Sequence, residues 1–157
     1  MVWFDERIVE GQPVEDIYSQ RIGYENGSIV TRWGEPDEGG IPICTAPGKQ
    51  EGAKVTYYNE DWNVVVWEDN RQSENDFLQA NGISQFATID IYAQFIDADG
   101  NKASAYYEGG NPLVSNLCYN PSTECPAETS PFEWSDQTNP RVKAADGGAF
   151  VIWIDKR

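Results

Sequence analysis

The sequence predicts an all-β chain assembled from a repeated unit, and three observations carry that reading. Aromatic and β-branched residues alternate with turn residues throughout, and no long apolar period of 3.6 residues persists. VWFDER at Val2 to Arg7 is followed by DIYSQ at Asp16 to Gln20, and VVWEDNR at Val65 to Arg71 is followed by DIYAQ at Asp90 to Gln94. VIWIDKR at Val151 to Arg157 then writes the first motif again. A motif pair held in fixed register marks one supersecondary unit stacked on its neighbours. The chain reads as a single all-β region, 1–157, with approximate repeats 1–64 and 65–150 and the beginning of a third at 151–157.

Taken in order, the predicted strands are Val2 to Asp5, Ile17 to Ile22, a short piece at Ile41 to Cys44, Lys54 to Tyr58 and Asn63 to Glu68. Ile89 to Ile96, a short piece at Leu113 to Cys118, Arg141 to Ala144 and Ala149 to Ile154 complete the set. Side chains alternate across a strand. In NVVVWED, Val65, Trp67 and Asp69 therefore take one face and Val64, Val66 and Glu68 the other, which suits a strand packed between two sheets. In DIYAQFID the alternation of Ile91, Ala93 and Phe95 with Tyr92, Gln94 and Ile96 points to close approach of another sheet on one side.

Turns separate these strands. YENG at Tyr24 to Gly27, DADGN at Asp97 to Asn101 and ADGG at Ala145 to Gly148 are tight-turn sequences, and YNEDW before the central strand still offers Asn and Asp. The intervals Asp16 to Cys44 and Asp90 to Cys118 are equal, which makes Cys44 and Cys118 expected equivalents. Two expansions, 72–88 and 119–139, break the equality of the units and are expected as exposed inserted loops.

Composition narrows the function. Eleven basic against twenty-six acidic residues give a net charge of -15, which repels phosphate backbones and anionic lipid and excludes nucleic acid as an expected partner. No apolar run approaches membrane-spanning length, so no direct membrane insertion is expected, and Met1 runs straight into VWF without an export signal as written. Both ends cut through repeat motifs, so a fragment of a longer repeating architecture is expected. Histidine is absent, which removes the commonest metal ligand and general base. Of the three cysteines, Cys118 and Cys125 enclose a polar loop suited to a local disulfide, leaving Cys44 buried or joined to a partner beyond the chain. That usage leans toward an exported protein.

The set V-x-W-x-D-x-R, D-I-Y-A-Q, D-A-D-G-N and D-G-G-A-F-V-I-W resembles the blade repeat of bacterial extracellular β-propellers found in large secreted and surface-attached proteins. The resemblance covers most of the chain outside the two expansions. It implies β-propeller-like blades, roughly two of them against the roughly four to eight of a closed ring, hence an incomplete propeller or a segment of a larger assembly. Other blades or subunits of that assembly are then the implied partners, at a bacterial cell surface or in the extracellular space. A small free-standing sandwich is the alternative architecture.

Candidate sites follow from residue type. Trp3, Asp5 and Arg7, Trp67, Asp69 and Arg71, and Trp153, Asp155 and Arg157 recur too regularly for a single active site. An Arg guanidinium bridging a carboxylate and backbone carbonyls would give each unit the same polar clamp, and Asp16 and Asp90 are expected in analogous corner roles. Asp97, Asp99, Asn101 and Glu108 have the oxygen donors and loop spacing of a calcium site, the one candidate cofactor, although Lys102 stands where a calcium loop requires glycine and a hairpin turn is the favoured reading. Trp33, Trp62 and Trp134, with Tyr57, Tyr58, Tyr106 and Tyr107, could stack on sugars.

Catalysis is the weakest reading. The acidic pairs Glu35 with Asp37, Glu60 with Asp61 and Glu68 with Asp69 lack a distinctive context, and Cys44 has no histidine to activate it. The expected function is a noncatalytic extracellular structural or adhesive segment mediating protein–protein contacts. A carbohydrate-binding module using exposed aromatics is the alternative.

Overall fold

The computed structural model of the chain describes residues 1–9, 12–23, 26–30, 33, 39–71, 89–105, 107, 109–114 and 136–156. Among them, three separate antiparallel sheets form from chain-adjacent strands. The first holds β1 (Val2–Val9), β2 (Gln12–Ser19) and β3 (Ile41–Cys44). The second holds β4 (Gln50–Tyr57), β5 (Trp62–Asp69), β6 (Asp90–Asp97) and β7 (Asn111–Val114). The third is the hairpin of β8 (Gln137–Ala145) and β9 (Gly148–Asp155).

The all-β expectation holds, but the propeller does not. Among the described residues none of the sheets closes or curls into a propeller arrangement, and each keeps two edges. The expectation of β-propeller-like blades in an incomplete ring is corrected to three small sheets packed against one another. The reason is that a repeated motif fixes pairing within each sheet but carries no information about an axis around which successive sheets might be set.

Register explains the repetition. Asp5 stands opposite Asp16 and Trp3 opposite Tyr18, while Asp69 stands opposite Asp90 and Trp67 opposite Tyr92. The next pairing repeats as well, Tyr18 with Pro42 and Tyr92 with Pro112, each beside a register shift. Ile17 pairs with Cys44 and Ile91 with Val114, so Val114 occupies the place of Cys44. The equal Asp-to-Cys intervals were a coincidence of loop length, and Cys118 lies outside the described residues.

The opening hairpin of the unit is likewise duplicated. Gln50 pairs with Asp69 and Gln137 with Asp155, and a register shift follows in each, between Glu51 and Lys54 and between Thr138 and Arg141. The shifts contain Gly52 at φ 66° and Asn139 at φ 57°, the two residue types that best tolerate the left-handed region an extra bulge residue adopts. This bulge, together with Pro140, hides the true start of β8 from a reading based on alternation. The turn expectations at DADGN and YNEDW fare better. Asp97 Oδ1 accepts from the backbone N–H of Asp99 and Asn101, and Asn59 Oδ1 accepts from those of Asp61 and Trp62.

β5 has two buried faces, as its sequence suggests. Val65 and Trp67 join Ile17, Trp33, Ile43, Cys44, Tyr92 and Ile96 in the core between the first and second sheets. Val64 and Val66 join Ala93, with Phe95, Val142, Ala149 and Val151 packed on them, between the second and third. Each fully buried aliphatic side chain contributes on the order of 1.5–3 kcal/mol. Among the described residues the second sheet is thus the one enclosed on both sides, and the Trp67–Asp69–Arg71 motif begins on one of its inner strands.

The seams between sheets repeat too. Lys49 of the β4 approach bridges to Glu15 of β2, and its ammonium lies 3.0 Å from the Glu15 carboxylate. At the matching place, the Gln137 N–H donates to the carbonyl of Ile89, just before β6, at 2.7 Å. At the other end of the first seam, Arg21 Nη1 and Trp33 Nε1 donate to the carbonyl of Ala98 at 2.6 and 3.0 Å.

Candidate functional site

Asp69 is the centre of the polar motif. Two-residue alternation along β5 sends Trp67 and Asp69 to the same face, and both are fully buried. Trp67 Nε1 donates to Asp69 Oδ2 at 2.8 Å. Arg71, just past the strand, folds back so that its backbone N–H and Nε donate to Asp69 Oδ1, both at 2.9 Å, and Nη2 donates to Oδ2 at 2.5 Å. Every lone-pair direction of a buried carboxylate is thereby supplied with a donor, the condition for keeping a charge inside a protein.

The rest of the guanidinium ties together three elements. Arg71 Nη2 also donates to the carbonyl of Gly109 at 2.7 Å, ahead of β7, and reaches Cys44 Sγ of β3 at 3.1 Å. Its Cζ lies 3.9 Å from the ring centroid of Tyr92 on β6, and Tyr92 stacks on Trp67 with centroids 6.2 Å apart. Burial works against the Arg71 charge, and the Asp69 carboxylate outweighs it, leaving the arginine pKa raised. Burial pushes the Cys44 thiol up to about 11; the Arg71 guanidinium pulls the other way and the Asp69 carboxylate adds to the rise. Cys44 is therefore a neutral thiol at physiological pH and a poor nucleophile.

Two glycines make the clamp fit. At Gly110, φ is +83°, and a Cβ there would lie 2.3 Å from Trp67 Cη2. A Cβ at Gly109 would lie 3.0 Å from Arg71 Nη1. Backbone thus passes directly over the indole and beside the guanidinium, where a side chain would intrude.

In the second unit Arg71 bridges the Asp69 carboxylate and the Gly109 carbonyl, with the Trp67 N–H on the same carboxylate. In the first unit Asp5 is half-buried and Asp16 buried, and the side chains of Trp3 and Arg7 lie outside the described residues. In the third, Trp153 is 36% exposed where Trp67 is 0%, Asp155 is half-buried, and Arg157 lies outside the described residues. Asp90 is fully buried opposite Asp69.

The other candidates separate. Asp97, Asp99 and Asn101 form a hydrogen-bonded turn, in which Asn101 Nδ2 also donates to Asp97 Oδ2 at 2.9 Å. Slight burial raises the Asp97 pKa, but hydrogen bonds from Asn101, Asp99 and Gly100 outweigh it and hold the carboxyl below its usual range. Glu108 lies outside the described residues, and among the described residues no cluster of His, Cys, Asp or Glu could hold a metal ion. Of the sugar-stacking aromatics, Trp33 is buried in the core with its N–H engaged, Trp62 is half-buried, and Trp134 lies outside the described residues.

No disulfide bond is found among the described residues, and Cys44 is a free buried thiol. The disulfide expectation is corrected accordingly: Cys118 and Cys125 lie outside the described residues, and Cys44 finds its partners in Arg71 and Asp69 rather than in another sulfur. Of the acidic pairs, Glu60 and Asp61 are exposed on a hairpin, and Glu35 and Asp37 lie outside the described residues. Glu68 accepts the Asn139 N–H at 2.9 Å in an open cleft between the second and third sheets that Glu51, Thr138 and Lys156 also line.

Sequence reasoning missed Gly109, Gly110, Tyr92 and Cys44 as members of the clamp. A signal existed for most of them: GGIPIC at Gly39 to Cys44 and GGNPLV at Gly109 to Val114 align the glycine pair and the prolines of both units. No protein-family model matches the chain, and no curated protein or solved structure matches it either, so the propeller resemblance gains no support from these comparisons.

Proposed function

We propose that the chain is a noncatalytic structural or adhesive segment that acts through protein–protein contacts, in an extracellular or cell-surface setting. The observation that carries this reading is the outer face of the β8–β9 hairpin. Phe150, Ile152 and Ile154 are exposed at 71%, 67% and 54%, whereas Val64 and Val66, at the matching positions of β5, are 2% and 0% exposed beneath the third sheet. A contiguous apolar stripe of this kind on a β-sheet is the property of a contact surface. The clamp supports the same reading, because its carboxylate and guanidinium are committed to holding β3, β5 and β7 together.

Sedimentation velocity over a range of concentrations tests it, beside a glycan panel. Concentration-dependent association that disappears in Phe150→Asp/Ile152→Asp is the expected result. A chain that stays monomeric and retains a glycan overturns the reading in favour of carbohydrate recognition.

A further inference from the structure

The turn between β2 and β3 carries a triplet that the clamp and the contact surface leave unused. Asn26, Gly27 and Ser28 spell Asn-x-Ser, the acceptor signal for N-linked glycosylation. No other Asn in the chain is followed two residues on by Ser or Thr without an intervening proline; Asn120 has Ser122, but Pro121 stands between them. The triplet alone is common by chance, so its geometry decides. Ile22 bridges to Ile29, the Gly23 N–H donates to the Ser28 carbonyl at 2.6 Å, and the Gly27 N–H donates to the Gly23 carbonyl at 3.0 Å. Asn26, Gly27 and Ser28 are all exposed on the turn these bonds close.

Within the turn the Asn26 carboxamide is held by its oxygen. Oδ1 accepts from the Ser28 N–H at 3.0 Å and from the Ser28 hydroxyl at 2.7 Å. A Cβ at Gly23 would lie 3.2 Å from Ser28 Oγ and 3.4 Å from Asn26 Oδ1, so both oxygens are set against the Gly23 backbone. Asn26 Nδ2 has no hydrogen-bond partner among the described residues. A Cβ at Gly27, where φ is +68°, would meet nothing within 4 Å, which leaves the turn open to an approaching enzyme. Asn59 supplies an internal contrast. Its Oδ1 accepts from the Asp61 N–H at 3.0 Å in the same local pattern, but Asp61 brings a carboxylate where Ser28 brings a hydroxyl.

We propose that Asn26 is an acceptor for an N-linked glycan, transferred by a glycosyltransferase from a glycosyl diphosphate donor. The two donors on Oδ1 stabilise the negative charge that gathers there as a base of the transferase takes a proton from Nδ2. The nitrogen lone pair attacks C1 of the sugar; the Nδ2–C1 bond forms, the C1–O bond breaks, and its electron pair leaves with the diphosphate. The bonds that shape the turn lie within residues 21–30, so a chain still folding can form it. This inference rests on the extracellular setting of the proposed function and goes beyond it in assigning a covalent modification.

The full chain, secreted behind an export signal from a host that N-glycosylates, provides the test. Peptide mass mapping before and after peptide N-glycanase, which converts a glycan-bearing Asn to Asp, is the readout. The expected result is a glycan on Asn26 and none on Asn59, lost in Ser28→Ala and kept in Ser28→Thr. A secreted, folded chain with a bare Asn26, or a Ser28→Ala chain that keeps the glycan, overturns the inference. A bare Asn26 on a chain whose association is sensitive to Phe150→Asp/Ile152→Asp refutes the glycan and leaves the protein-contact reading standing; a glycan on Asn26 of a chain that never associates refutes the latter alone.

Discussion

Replacing Gly110 by alanine separates packing from backbone strain when Gly147→Ala is measured beside it. Both glycines sit in the left-handed region, at φ +83° and +76°. A Cβ at Gly147 meets nothing within 4 Å, whereas one at Gly110 would lie 2.3 and 2.7 Å from two indole carbons of Trp67 and 2.9 Å from the carbonyl of Ala93. Strain alone costs about 1–2 kcal/mol for an L-residue in that region. Overpacking a closed core adds about 1–3 kcal/mol, and neither the buried indole, tied to Asp69, nor a β6 carbonyl can retreat cheaply. The expected losses are thus about 1–2 kcal/mol for Gly147→Ala and about 2–5 kcal/mol for Gly110→Ala. With a urea m-value of about 2 kcal/mol per molar, the midpoints fall by about 0.5–1 M and about 1–2.5 M. Equal shifts for the two variants would refute the claim that the backbone at Gly110 closes over Trp67.

The clamp and its thiol give two further tests. Asp69→Asn leaves Arg71 without its anion and sets an amide against the Trp67 N–H, and an expected loss of about 3–5 kcal/mol should contrast with about 0–1 kcal/mol for Lys49→Ala, whose ion pairs with Glu15 and Glu51 are partly solvent-exposed; urea denaturation measures both. Cys44 has its folded pKa raised from 9.0 to about 11, so its contribution is present in full below the unfolded value and is lost as pH rises through the folded one. Stability should fall between roughly pH 9 and 11, and Cys44→Ala should flatten that part of the profile; parallel wild-type and variant curves there would show that the thiol is not held neutral by the fold.

Strands whose patterns obey simple alternation were legible in the sequence, and the exceptions have local causes. β3 matches its expected limits, and β5, β6 and β9 differ by about a residue at their ends, the margin at which hydrogen-bond assignments commonly vary. β2 was expected to start at Ile17, yet pairing begins at Gln12 and runs through Pro13 opposite Ile8. Bulges concealed the starts of β4 and β8, because an inserted residue inverts the alternation on which a strand reading depends. Asp69 and Arg71 were recognisable from their recurrence. Their contact with Cys44 was not, because it crosses between sheets, and inter-sheet contacts leave no period in the chain. The propeller expectation failed for the same reason, since local register was visible and the arrangement of sheets was not.

The duplicated seam has a kinetic consequence. Each sheet meets the next through unlike faces, so opening one seam leaves the other intact, and unfolding can proceed sheet by sheet. The β8–β9 hairpin, held on one side only among the described residues, should peel away first. The β4–β7 sheet, with its clamp and two covered faces, should hold the slowest-exchanging amides and persist as the last ordered remnant. A contact partner on the hairpin would then slow the first step of unravelling, so that whatever binds at that end also sets the lifetime of the whole chain.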